Sequence, residues 1–109
     1  MIGLGSAAAI YLYDGIADMR CGFDGLLGLI ERQFDLADFR QGALFVFVSR
    51  RRTQVKVLWS DGDGCCLWTK RLSQGCFRGG FAGGKIERRE LMLLLEGVHP
   101  QRLNKRWKP

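Results

Sequence analysis

Three consecutive arginines, Arg50, Arg51 and Arg52, stand between two apolar, strand-like runs at 43–48 and 54–59. A guanidinium is a planar fork of donors that matches the oxygens of a phosphate. Three of them on one turn form a surface for a polyanion. Lys56, Lys70 and Arg71 fall on the neighbouring strands and extend the patch. A two-stranded β-ribbon fits the major groove of DNA. Arg50, Arg51, Arg52, Lys56, Lys70 and Arg71 are therefore the candidate phosphate contacts, with little base specificity expected of them. Arg78, Lys85, Arg88 and Arg89 are contacts of second rank, as are Arg102, Lys105, Arg106 and Lys108 near the C-terminus. The competing account is an exposed turn kept soluble by its charge.

Other residue patterns carry less chemistry. Asp61-Gly62-Asp63-Gly64 resembles the start of a calcium loop, but Cys65 and Leu72 occupy positions where further oxygen ligands are needed. Asp-Gly between two strands is a hairpin signal, and that reading is preferred. Asp38 followed by Gln54-Val55-Lys56 is a weak echo of a metal-dependent nuclease pattern. Glutamine is a poor ligand for Mg²⁺, so no catalytic site is expected there. His99, the single histidine, stands beside Pro100 and reads as a surface or capping residue. Cys21, Cys65, Cys66 and Cys76 include no C-x-x-C pair, which argues against zinc and for small apolar residues in a reduced core. No metal or cofactor is expected. Trp59, Trp68 and Phe77 have faces on which bases could stack, although aromatic residues in strands more often serve the core. Trp107, among basic residues, is the better candidate to meet a partner.

Charge separates the two parts of the chain. Residues 1–47 hold three basic and six acidic side chains, a net of −3, and residues 48–109 hold fourteen basic and five acidic, a net of +9. The C-terminal part is the expected polyanion surface. The 109 residues allow one domain, and 47% hydrophobic content supports a packed core. No apolar run approaches the length of a membrane span, and the apolar first ten residues lack a basic leader. A cytoplasmic protein without membrane partners is expected.

The elements that must position these residues follow from periodicity. Residues 10–13 predict a short strand, with a turn at Asp14-Gly15. Met19, Phe23, Leu26, Leu27, Ile30 and Phe34 recur at steps of three and four and predict a helix that Asp18 would cap. Gly22, Gly25 and Gly28 on that helix suggest close packing. Residues 35–42 read as a loop, 43–48 as a central strand, and 54–59 and 65–72 as further strands, with a fourth near 76–78. Residues 87–96 predict a second helix, stopped by Gly97 and Pro100. The expected architecture is α+β: an antiparallel β-meander of about four or five strands packed with two α-helices. It forms a single domain over residues 1–100, followed by a basic tail at 101–109.

Several short pieces, in order, resemble a known family: Met1-Ile2-Gly3-Leu4, Asp18-Met19-Arg20, Gly22-Phe23-Asp24-Gly25-Leu26, Leu44-Phe45-Val46-Phe47, Arg50-Arg51-Arg52, Lys56-Val57-Leu58-Trp59, Asp61-Gly62-Asp63-Gly64, Lys70-Arg71-Leu72 and Leu94-Leu95-Glu96-Gly97. Together, across about residues 1–98, they resemble the TnpB accessory proteins of the insertion-sequence-sixty-six transposon family. The resemblance implies a small companion of a separate transposase in bacterial DNA transposition, with no catalytic residues to carry over. One departure is Gly79-Gly80, where the family tends to have Trp-Pro; the two glycines should loosen that segment. The reading is a non-catalytic accessory factor that binds transposon-end or nonspecific DNA through its basic hairpin. The alternative is an adaptor that assembles the transposase complex without touching DNA.

Overall fold

The computed structural model describes residues 8–79 and 82–96. Along the described chain run β1 (Ile10–Leu12), α1 (Phe23–Gln33), α2 (Leu36–Arg40), β2 (Leu44–Val48), β3 (Gln54–Ser60), β4 (Cys65–Arg71), β5 (Gly84–Ile86) and α3 (Arg88–Glu96). The strands form one sheet in the order β4-β3-β2-β1-β5.

The β2-β3-β4 meander is present, and its registers set Val46 opposite Val57 and Val57 opposite Trp68. The sheet as a whole is mixed rather than antiparallel, because β1 runs parallel to β2 with Ile10 beside Leu44. Parallel neighbours need a crossover connection. Residues 13–43, which carry α1 and α2, supply it. The last strand is not at 76–78. There Cys76 and Phe77 are buried, and the Phe77 N–H goes to the Arg52 carbonyl at 2.6 Å instead of into a ladder. The fifth strand is Gly84–Ile86, antiparallel to β1 on the far edge.

Among the described residues three helices are present where two were expected. Residues 35–42 contain α2 because Asp35 caps it, its carboxylate accepting from the Ala37 N–H at 2.9 Å. The first helix begins at Phe23, not at Asp18. Asp18 closes a turn of its own: its carboxylate accepts from the Arg20 N–H at 2.9 Å and its carbonyl from the Cys21 N–H at 3.0 Å. Gly22 is the N-cap of α1 and makes no side-chain cap bond. The expected tight packing of three helical glycines is confined to Gly25, where an added Cβ would lie 3.0 Å from Cys21; Gly22 and Gly28 have open space. Gly97, His99, Pro100 and the tail residues Arg102, Lys105, Arg106, Trp107 and Lys108 lie outside the described residues, as does Gly80.

Both faces of the sheet are covered. Alternation along β2 sends Leu44 and Val46 to one side and Phe45 and Phe47 to the other. The first side packs with Val55, Val57, Phe77 and the Leu91, Leu94 and Leu95 stripe of α3. The second packs with Leu58, Leu26 and Ile30 of α1, and with Phe34 and Phe39. Tyr11 stacks on Phe45 with ring centroids 5.3 Å apart, and Phe34 meets Phe45 at the same distance. Such pairs are worth roughly 0.5–1.5 kcal/mol beyond area burial. A strand covered on both faces reads as a continuous apolar run, which is why 43–48 lacks alternation. Leu58 breaks the pattern of β3 for the same reason: the face it shares with Lys56 is core.

Candidate nucleic-acid interface

The Arg50–Arg52 turn joins β2 to β3 at the carboxyl end of the parallel β1-β2 pair. Ligands of α/β sheets gather at such ends, where loops diverge from the strands. Ser49 builds the turn. Its N–H donates to the Gln54 carbonyl at 3.0 Å, its carbonyl accepts from the Arg52 N–H at 2.9 Å, and its hydroxyl accepts from the N–H groups of Thr53 and Gln54. The backbone of Arg52 is left-handed, φ +57°, and it is the one non-glycine residue with positive φ among the described residues. Hairpin loops place glycine at such positions, and a residue with a Cβ pays about 1–2 kcal/mol for the conformation.

Among the described residues two clefts flank the turn, one on each face of the sheet. On the α3 side a cleft of about 220 Å³ is lined by Leu12, Tyr13 and Asp14 after β1, by Arg50 and Arg52, and by Arg78 and Gly79. On the α1 side a broader cleft of about 640 Å³ is lined by residues 16–20 and by Arg50, Arg51, Gln54 and Arg71. Arg50, Ser49 and Ile16 border both. Ile16 is 58% exposed, an apolar side chain among arginines. Among the described residues only Arg20 and Asp18 form an ion pair, at 2.8 Å, so the arginines of the turn, Arg71 and Arg78 have no carboxylate within pairing distance.

The predicted contacts thus divide. Arg50, Arg51, Arg52 and Arg71 come together. Arg71 and Lys70 are adjacent in β4 and point to opposite faces: Arg71 pairs with Gln54 on the α1 side, and Lys70 with Val55 on the α3 side. Lys70 lines neither cleft. Lys56 is turned inward as a positioning residue. Its ammonium donates to the carbonyls of Met19 at 2.6 Å and Cys21 at 3.0 Å, and so holds the 18–21 loop against the sheet. Arg78, of second rank in the sequence, reaches the α3-side cleft because Phe77 is anchored to Arg52. Lys85 lies in β5 and Arg88 and Arg89 open α3, and none of the three lines either cleft.

Sequence reasoning missed Ile16, Asp14 and Arg20, which come from the loop after β1. The Asp14-Gly15 turn was legible. What was not is the pairing that pins it, in which the Gln33 amide donates to the Asp14 carbonyl at 2.6 Å and accepts from the Asp14 N–H at 2.9 Å. The Arg20 guanidinium, hydrogen-bonded to Asp18, holds that carboxyl down at about 2. Its folded value lies below the ordinary 3.8, so its contribution to stability is present above pH 3.8 and is lost as pH falls through about 2.

The remaining candidates behave as structural parts. Asp61 closes the β3-β4 hairpin, its carboxylate accepting from the N–H groups of Asp63 at 3.1 Å and Gly64 at 2.8 Å. Those bonds, with a thiol hydrogen bond from Cys66, lower its pKa. All four cysteines are free thiols. No group of three His, Cys, Asp or Glu residues able to hold a metal occurs among the described residues. No helix among them is long and apolar enough to cross a membrane. Phe77 is fully buried, and Trp59 and Trp68 pack against the α3-side core.

The family described as IS66 Orf2-like protein matches residues 8–105. The chain is 38% identical to "Uncharacterized protein y4hO" of Sinorhizobium fredii over 115 aligned positions, which cover all of this chain and 96% of that protein. It is 35% identical to "Uncharacterized protein y4jC" of the same organism over 77 positions, 71% of this chain and 65% of that one. No solved structure matches. A family match across nearly the whole chain settles its kinship: the protein belongs to the IS66 Orf2-like family, the TnpB-type accessory proteins of transposition.

Proposed function

We propose that this protein is a non-catalytic accessory factor that acts on DNA in the cytoplasm, gripping the phosphate backbone with the arginine-rich end of its sheet. The observation that carries the reading is the gathering of Arg50, Arg51, Arg52, Arg71 and Arg78 around one hairpin turn, none with a carboxylate partner among the described residues. Arginines held apart from carboxylates keep their donors for an external anion. Contacts of this kind position a protein on a duplex with little sequence information. The companion transposase would then supply site choice and chemistry.

Fluorescence anisotropy against transposon-end and scrambled duplexes, at two salt concentrations, tests the proposal. Binding should weaken steeply with salt. Replacing Arg50, Arg51 and Arg52 together with alanine should weaken it further and flatten the salt slope by about 0.9 for each phosphate contact removed. Unchanged affinity and slope would show that the turn is not the DNA surface.

A second reading, an adaptor that holds the transposase, draws on Phe23 of α1 and Leu93 of α3, large apolar side chains left exposed on opposite faces of the molecule. Its mark is co-purification with the transposase in the presence of nuclease, without DNA affinity.

A further inference from the structure

We infer that the α3-side cleft is a preformed pocket for one phosphodiester of the DNA backbone, with Arg52 as its principal donor and Arg50 and Arg78 beside it. The inference rests on the reading of this end as the DNA surface and goes beyond it by separating one cleft from the other.

Two hydrogen bonds fix the backbone of Arg52, and its side chain rests on residue 79. The Arg52 N–H is held by the Ser49 carbonyl at 2.9 Å, and its carbonyl by the Phe77 N–H at 2.6 Å. Its guanidinium lies on the backbone of residue 79. A Cβ there would stand 3.0 Å from Nη1, 3.1 Å from Cζ and 3.2 Å from Nε, closer than ordinary contact. Glycine at 79 therefore lets the fork lie where it does. The backbone of Arg52 is also in the left-handed region, where glycine would sit without strain. A strained residue kept in a rigid setting points to a use for its side chain. The site has the chemistry for that use: three guanidinium groups border one concavity, and Asp14 is the single carboxylate on its rim among the described residues. A monoanionic phosphodiester satisfies several forked donors at once and tolerates one nearby carboxylate. Arg51 and Arg71 border the other cleft and would follow the strand further along.

Arg52→Gly separates this role from a structural one. The variant should melt no lower than the parent protein, since glycine relieves the backbone. It should bind duplex DNA about tenfold more weakly, with a salt slope smaller by about one. Gly79→Ala keeps every charge and displaces the guanidinium, and it should weaken binding several-fold. The Arg52 side-chain N–H signal, followed by NMR, should shift on adding a short duplex. Unchanged affinity in both variants would overturn the pocket, as would a lower melting temperature for Arg52→Gly, which would mark the arginine as a structural part. A signal that responds to inorganic phosphate and not to duplex would assign the cleft to free phosphate and overturn the DNA assignment. If the parent protein bound no DNA even at low salt, the broader reading would fail first.

Discussion

Lys56 and Arg71 leave neighbouring strands toward the same face of the sheet, yet only Arg71 reaches a cleft. The difference is one of partners. Lys56 finds two backbone carbonyls, of Met19 and Cys21, in a loop with no regular structure to satisfy them. Hydrogen bonds from a charged donor contribute about 1.5–3 kcal/mol each, and a half-buried carbonyl left without one is costly. Lys56→Met keeps the length and apolar stem of the side chain and removes the donors. It should lower stability to urea by about 2–3 kcal/mol, with DNA affinity falling far less than when Arg71 is replaced. Equal loss of affinity in the two variants would return Lys56 to the binding surface.

Helix α1 shows the same separation between a residue's type and its task. Gly25 and Gly28 are one turn apart and look alike in the sequence. An added Cβ at Gly28 meets nothing within 4 Å, whereas at Gly25 it would press on Cys21. Alanine favours a helix interior over glycine by about 0.8–1 kcal/mol. Gly28→Ala should therefore raise stability by most of that amount, and Gly25→Ala should gain little or lose. Thermal melts of the two variants check this directly. If both stabilised equally, Cys21 would have moved aside and the 18–21 loop would be softer than its hydrogen bonds to Lys56 imply.

Across the whole molecule, two separate cores hold the arginine-rich end in place. The α3-side core supports the smaller cleft through Leu94, which touches both, and the α1-side core supports the broader one through Ala17. Leu94→Ala should cost about 2–5 kcal/mol, the range for a buried leucine that leaves a cavity. Because Leu94 lines the wall of the Arg52 cleft, the variant at temperatures where it stays folded should bind DNA more weakly than Leu91→Ala. Paired denaturation and anisotropy measurements distinguish loss of wall from loss of fold.

The residue order alone determined the β2-β3-β4 meander, the two longer helices and the arginine turn. Each of these rests on local rules: apolar periodicity, Asp-Gly and Gly signals, and the clustering of like charges. It also carried the family resemblance, because that lies in short ordered motifs. Tertiary structure decided the rest. The parallel placement of β1 beside β2 is a long-range choice that no window of sequence records, and it is what brings the 13–20 loop against the arginine turn. The inward fate of Lys56 depends on carbonyls 35 and 37 residues away along the chain. The left-handed Arg52 and the guanidinium resting on Gly79 depend on Phe77 returning to the turn, a contact invisible until the sheet has formed. Local chemistry chose the cluster of basic residues; packing at a distance chose which of them face the same space.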